Sequence, residues 1–280
     1  MWKPEHRVAA DRSGLRYPSD LTDAEWAMVE PMIPPARHGG RKRSVDVREV
    51  LNGIFDVLWT GCQWKALPKD LPPKSTVHDY LELWNWDSTL ERIHHALYVA
   101  VREQEGREAS PTVAIIDSQT AKGAQKGGLG FDPSGYDAGK KIKGRKRHIL
   151  VDTLGLLLNV VVHSADVQDR DGAFHLLRRA RRLFPFIKRI FADGGYAGEK
   201  MALVVWRTGT WKLEIVKRSD VAGFEVLPKR WIVERTFAWI SRNCRLGRDF
   251  ERYATTVAAF VRLAMIRIML RRLAAANASS

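Results

Sequence analysis

The amino-acid sequence predicts an α/β domain, a mixed sheet flanked by helices, preceded by an all-helical domain. Three observations predict it. Apolar residues recur at helical spacing through most of the first hundred positions. After Pro111 short apolar runs of strand length take over, and beyond residue 169 these runs alternate with amphipathic helical stretches. A chain of 280 residues with 45% hydrophobic content can bury sizeable cores, so disorder is not the default.

Residues 1–20 show no periodicity and read as an extended arm. Thr22 and Glu25 make a capping-box pattern, each side chain able to satisfy the other's backbone amide, so a helix is expected to start there. Trp26, Val29 and Ile33 carry its apolar face before Pro34 and Pro35 end it. Ser44 is expected to cap the next helix, which buries Val47, Val50, Leu51, Ile54, Phe55 and Leu58 and ends near Gly61. Pro68, Pro72 and Pro73 then break the chain until Ser75, the expected cap of a helix carrying Val77, Tyr80, Leu81 and Trp84. Ser88 and Glu91 form a second capping-box pattern, opening a helix with Leu90, Ile93, Leu97 and Val101. Residues 21–106 are therefore expected to form a helical domain. Short helices with basic and aromatic residues between them suit a helix-turn-helix-like DNA-binding module. A packed helical cap fits the same pattern, because no side-chain code marks a recognition helix.

Residues 107–280 read as a second domain. A short strand covers 113–116, and residues 147–154 and 156–163 flank Gly155 as a hairpin. A basic amphipathic helix over 169–184, a strand over 189–192, a helix over 199–206, a strand over 213–216 and a helix after Pro228 follow, and 255–273 forms the last helix. Three strands able to form a meander, then alternating helices and strands, is the element order of a ribonuclease-H-like domain, an order that other mixed-sheet folds share. Seven of the chain's 21 glycines fall in 123–144. The stretch 122–144 is accordingly expected to be a mobile loop beside a catalytic strand, a candidate substrate-closing element.

The formal net charge is +14, which points to a polyanionic partner, nucleic acid first, because each Lys or Arg that neutralises a phosphate releases a counterion. The charge is clustered at Arg41, Lys42 and Arg43, along 140–147 (Lys143, Arg145, Lys146 and Arg147 among them), and in the arginines from Arg242 and Arg245 onward. A solvated basic face is the plain alternative. Two cysteines, Cys62 and Cys244, make neither a disulfide framework nor a four-thiolate zinc site, and fit a reducing setting. The amino terminus lacks the apolar core of a signal peptide, and Arg262 and Arg267 interrupt the most hydrophobic late segment, so a soluble cytoplasmic protein with no membrane partner is expected. No phosphate-binding Gly-rich loop of the nucleotide hydrolases is present, and His94, His95 and His163 lack partners at metal-ligand spacing. Trp206, Trp211, Trp231 and Trp239 read mostly as core; an exposed one could stack on an unpaired base.

Asp117 follows the apolar run 113–116, and Asp193 follows Ile190, Phe191 and Ala192 and precedes Gly194 and Gly195. Each alone is more simply a turn-capping residue. Glu234 stands four residues after Arg230 on one helical face, the pattern of an ordinary surface ion pair. Their combination changes the reading. In a ribonuclease-H-like sheet the two aspartates would end neighbouring strands, and Glu234 would come from the flanking helix, packed through Val233, Phe237 and Ile240, with Ala238 allowing close approach. Three converging carboxylates suit hard cations such as Mg2+ or Mn2+. Two ions would activate an attacking hydroxyl and stabilise the leaving oxygen in phosphoryl transfer. Asp152, Asp166, Asp169 and Asp171 are competing carboxylates, and Asp152 fits either a fourth acidic group or an outward strand residue.

The blocks Ile116-Asp117-Ser-Gln, Ala192-Asp193-Gly-Gly-Tyr196 and Arg230-Trp-Ile-Val-Glu234-Arg-Thr-Phe-Ala-Trp resemble the three catalytic blocks of bacterial insertion-sequence DDE transposases, of the insertion sequence four and five superfamily. The segments 17–26, 61–64 and 144–148 resemble that group too, so the likeness covers nearly the whole chain. The resemblance implies binding of the element's terminal inverted repeats, metal-dependent cleavage there and strand transfer into target DNA. It makes Asp117, Asp193 and Glu234 the catalytic metal ligands, with two Mg2+ ions that Mn2+ can replace. It also implies double-stranded DNA as partner, a homodimer that cuts two ends together, and a place with the bacterial nucleoid. The family's signature around the glutamate departs here: Leu227 stands for its Tyr and Ser241 for its Lys, with Arg242 and Arg245 nearby as phosphate holders. The interval between Asp193 and Glu234 leaves no room for a large insertion domain. A nuclease without strand transfer and an inactive DNA-binding remnant are the alternative functions.

Overall fold

The computed structural model describes residues 11–36, 39, 42–124, 130–216 and 230–277. The chain divides into two compact units. One gathers Met1–Arg107, Asn243–Arg245 and Leu263–Ser280; the other holds Glu108–Arg242 and Leu246–Arg262. Arg41, Leu227 and the centre of the Gly-rich stretch, 125–129, lie outside the described residues.

In the first unit, α1 (Asp23–Val29) starts on the expected capping box. The Thr22 hydroxyl accepts from the Glu25 amide at 3.2 Å, and the Glu25 carboxylate accepts from the Thr22 amide at 3.0 Å. Pro31, which has no amide proton, ends α1 early, and a single tight turn, Glu30–Met32, follows. In α2 (Val47–Thr60) Asp46 replaces Ser44 as cap, accepting from the Arg48 and Glu49 amides, and Gly61 ends the helix at φ 70. α3 (Lys74–Trp86) opens after Pro73 with no side-chain cap, and Ser75 lies inside it. α4 (Thr89–Gln104) corrects the second capping box. Ser88 adopts φ 64 and makes no cap bond, while the Asp87 carboxylate accepts from the Thr89 amide at 2.9 Å. Val50, Ile54, Phe55, Leu58, Val77, Leu81, Trp84, Leu97 and Tyr98 are buried in this unit.

The second unit is built on a mixed sheet of β1 (Val113–Lys122), β2 (Gly135–Asp137), β3 (Ile142–Val151), β4 (Leu157–Ser164), β5 (Arg189–Ala192) and β6 (Lys212–Ile215). The order runs β2, β3, β1, β5, β6, with β4 also paired to β3. β1, β3 and β4 make an antiparallel meander, whereas β5 and β6 add to β1 in parallel. α5 (Asp169–Leu183) packs on β3 and β4, α6 (Glu199–Gly209) on α5 and β6, and α7 (Arg230–Ser241) on β1. α8 (Cys244–Gly247) is one turn, and α9 (Ala254–Asn277) ends the described chain, its residues divided between the two units.

Two expectations are corrected in this sheet. β1 does not stop before Asp117 but continues to Lys122 through antiparallel pairing with β3, and its parallel pairing with β5 covers only Val113 to Ile115. Part of the Gly-rich stretch is regular structure, since β2 and the start of β3 lie inside it. Asp152 is neither a fourth acidic group nor outward-facing. It is fully buried in the β3–β4 turn, accepting from the Leu154 and Leu156 amides, while Gly155 supplies φ 79.

Candidate active site

Parallel pairing of β1 with β5 over Val113 to Ile115 sets the carboxyl end of β5, where open α/β sheets commonly place ligands, beside the middle of β1. Asp193 directly follows β5. Its Oδ1 accepts from the Gly195 amide at 2.9 Å, closing the tight turn Gly194–Tyr196. Asp117 stands on β1 just past the end of the β5 pairing, and its Oδ1 accepts from the Ser118 amide at 2.7 Å. Both carboxylates are half-buried and line one cleft with Phe191, Val216, Arg230 and Val233. Burial, reinforced by the Asp193 charge, pushes the Asp117 carboxyl up to about 6, against the opposing pull of the Ser118 amide and of Arg230.

Glu234 comes from α7, whose Ile232, Val233, Phe237 and Ile240 are buried. Ala238 is exposed, so it does not serve the close approach expected of it. The Glu234 side chain is 58% exposed and is linked to the aspartates through Arg230. The Arg230 Nη2 lies 3.7 Å from Asp193 Oδ2, and its Nε lies 3.1 Å from Glu234 Oε1, close enough for an ion pair but not aligned as a hydrogen bond. The simple i to i+4 pair is therefore present, and the same guanidinium also faces the strand-end aspartate. Among the described residues no three His, Cys, Asp or Glu side chains come close enough together to hold a metal ion. The Asp117 and Asp193 pair offers oxygen donors and mutual repulsion, which fits a hard divalent cation, and Glu234 could join it once Arg230 gives way.

The basic residues expected to meet DNA fall into three groups. Lys42, Lys143 and Arg242 are exposed. Arg43 and Arg230 are half-buried, the former donating to the Pro34 and Pro35 carbonyls with its guanidinium over Tyr80. Arg145, Lys146, Arg147 and Arg245 are buried and correct the sequence reading, because their charges are spent inside the protein. Arg145 pairs with Asp249 and donates to the Asp132, Glu251 and Arg252 carbonyls. Lys146 pairs with Asp169 at 3.0 Å, Arg147 donates to the Leu246 and Arg248 carbonyls, and Arg245 donates to the Cys62 carbonyl. Of the tryptophans read as core, Trp211 is buried, whereas Trp206 and Trp231 are 60% and 45% exposed.

A polar network beneath the aspartates was not singled out by sequence reasoning. The Ser118 hydroxyl donates to Asp169 at 2.8 Å, and the buried Tyr196 hydroxyl lies 3.2 Å from His148 Nδ1. Ser118 and Tyr196 stand inside the Asp117 and Asp193 blocks, Asp169 is one of the competing carboxylates and His148 ends the 144–148 segment, but the distance between them in the chain hides that they meet.

Residues 108–270 match the model of a family described as "Transposase DDE domain", and residues 21–94 match one described as "Putative transposase of IS4/5 family". The chain is 32% identical over 127 residues to the "Putative transposase for insertion sequence element IS402" of Burkholderia cepacia, an alignment covering 43% of this chain and 60% of that protein. It is 29% identical over 110 residues to the "Insertion element IS402 uncharacterized 16.2 kDa protein" of the same organism, covering 37% of this chain and 75% of the relative.

Proposed function

Because this chain belongs to the transposase DDE domain family, whose model spans more than half of it, we propose that it cuts the ends of an insertion sequence and joins them to target DNA, with Asp117, Asp193 and Glu234 as the metal-binding catalytic triad. The observation that carries this reading is the pairing of β1 with β5, which brings two carboxylates to one cleft beside the helix that bears the third. A meander of three strands extended by two parallel strands supports a ribonuclease-H-like assignment for this unit. Divalent cations, two Mg2+ or their Mn2+ equivalents, would supply charge neutralisation and an activated hydroxyl for in-line phosphoryl transfer.

The protein's own groups prepare that chemistry. Asp117, raised to about 6, is ionised at neutral pH and available as a donor. Arg230 holds the carboxylate edge together in the absence of cations, and its guanidinium suits a backbone phosphate once it leaves them. Lys42, Lys143 and Arg242 are exposed and suit the path of the duplex. Arg242 is also the candidate for the phosphate-holding role that Ser241 lacks; Arg245, being buried, is not. The helical region 21–106 would recognise the terminal repeats, and a homodimer would bring two ends together.

The test is cleavage of a labelled duplex carrying the element end, with Mg2+, by purified protein. Asp117→Ala and Glu234→Ala should each abolish cleavage while leaving the gel-shift of the same duplex largely intact. Cleavage at the original rate in either variant overturns the triad. Supplying pre-cut ends with a plasmid target separates strand transfer from simple nuclease activity.

A further inference from the structure

β1, β3, α5 and the turn after β5 carry polar side chains that pair close to the two aspartates. Ser118 is the hub. Its amide donates to Asp117 Oδ1 at 2.7 Å, and its hydroxyl donates to Asp169 Oδ1 at 2.8 Å. Asp169 is the first residue of α5, held in place by the buried Lys146 of β3 at 3.0 Å. Tyr196 closes the turn that bears Asp193, and it is fully buried. Its hydroxyl reaches His148 Nδ1 at 3.2 Å, and His148 on β3 stands directly across from Ser118 on β1. A Cβ on Gly195 would stand 3.1 Å from Asp193 Oδ1 and 3.4 Å from Asp169 Oδ2, so Asp169 borders the Asp193 turn directly.

We propose that Ser118, Tyr196 and Asp169 act together as positioning residues that fix Asp193 relative to Asp117 for cation binding. The inference rests on the reading of these aspartates as metal ligands. Without the network, Asp193 would sit on a turn whose Gly194 and Gly195 leave its backbone free to move. With it, the turn is tied to β3 through a buried phenol, and the Asp117 strand is tied to α5 through a buried hydroxyl and paired with β3. Burial keeps His148 neutral, with a value near 3, so its ring is a stable partner for the phenol across the working pH range. Groups that orient ligands from behind typically change affinity by about 10- to 100-fold when removed.

The experiment is Mn2+ titration of the purified, DNA-free protein by calorimetry, with thermal melting on the same samples. Tyr196→Phe removes one oxygen, and Ser118→Ala is the second variant should the first fail to fold. Each should weaken Mn2+ binding about tenfold or more with a melting temperature close to the parent's. Tyr17→Phe, which removes the hydroxyl bonded to Asp70 in the other unit, should leave the affinity unchanged. If Asp117→Ala abolishes binding but both Tyr196→Phe and Ser118→Ala bind within twofold of the parent, the positioning role is overturned and the metal-ligand reading stands. If Asp117→Ala binds Mn2+ as the parent does, the metal-ligand reading falls, and the positioning role with it.

Discussion

Asp117→Asn should stabilise the cation-free protein above pH 6 and leave it unchanged near pH 4. The carboxyl is raised from 3.8 to about 6 in the fold, chiefly by burial. The neutral form is therefore favoured by folding. Its contribution is fully present below about pH 4 and is lost as pH rises to about 6. Two pK units at about 1.4 kcal/mol each put the cost of the ionised carboxylate at up to about 3 kcal/mol. Asparagine keeps an oxygen for the Ser118 amide, so that hydrogen bond survives while the charge is gone. At roughly 2 °C or more per kcal/mol for a chain of this size, the variant should melt about 6 °C higher at pH 7.5. Calorimetry in EDTA across pH 4 to 7.5 should show the gap opening between pH 4 and 6 and then staying level. Mn2+ at a thousand times its Kd should reverse the order, because only the parent gains binding free energy, about 4.1 kcal/mol at that concentration. A gap that does not depend on pH, or a variant less stable at pH 7.5, would refute the reasoning.

Four further outcomes follow from named residues. Arg230→Gln should bind Mn2+ several-fold more tightly without DNA, because the guanidinium no longer competes for Asp193 and Glu234; calorimetric affinity equal to or weaker than the parent's contradicts this. Arg147→Leu should cost about 1–3 kcal/mol in urea unfolding by stranding the Leu246 and Arg248 carbonyls, yet leave the salt dependence of DNA binding alone. Lys143→Ala and Arg242→Ala should do the opposite, each lowering the salt slope by about one in anisotropy titrations across KCl concentration, with little effect on stability. Gly172→Ala should cost about 1–3 kcal/mol in the same urea measurement, because its Cβ would overlap the His148 and His163 rings beneath the first turns of α5.

What could be read from the sequence was what is decided locally. Thr22 and Glu25 form their capping box because both partners lie within one turn, and the run 189–192 is a strand because Ile190, Phe191 and Ala192 must all be buried. Asp193 follows that run and was found for the same reason. The Ser88 box failed because Asp87, one residue earlier, supplies the acceptor instead, a competition that spacing does not resolve. The full length of β1 was hidden for a different reason. Its second half, Ser118 to Lys122, is polar, and it is a strand because β3 pairs with it along its whole length. Thr120 finds Asp137 and Ser118 finds Asp169, so polar groups that look solvent-facing are satisfied by partners distant in sequence. Glu234 could be located on a helix, but the guanidinium between it and Asp193 depends on where that helix packs.

The basic run at 140–147 shows why charge clustering alone misassigns function. From Arg145 onward β3 is covered on its faces as well as paired at its edges: Lys146 lies against α5, and Arg145 and Arg147 lie against 246–252, so these side chains have little solvent to point into. Arginine is unusual in suiting such a place. Its planar fork of donors can answer several main-chain carbonyls that loops leave without amide partners. Arg145 and Arg147 do this for the loops around Asp132 and for 246–252, and Arg147 remains charged at neutral pH although burial lowers it to about 10. A lysine could not replace either residue, because a single ammonium cannot span the two or three carbonyls each one reaches. The net charge of +14 therefore overstates the field that DNA would meet. Part of the 140–147 run anchors the loops that border the sheet, and under the proposed function the duplex would meet exposed positions such as Lys143 and Arg242. Basic residues on a strand whose faces are covered suit loop anchoring, while the same residue type on an uncovered stretch, as at Lys143, suits phosphate. What covers the faces of the strand, which no run of charges reveals, decides between them.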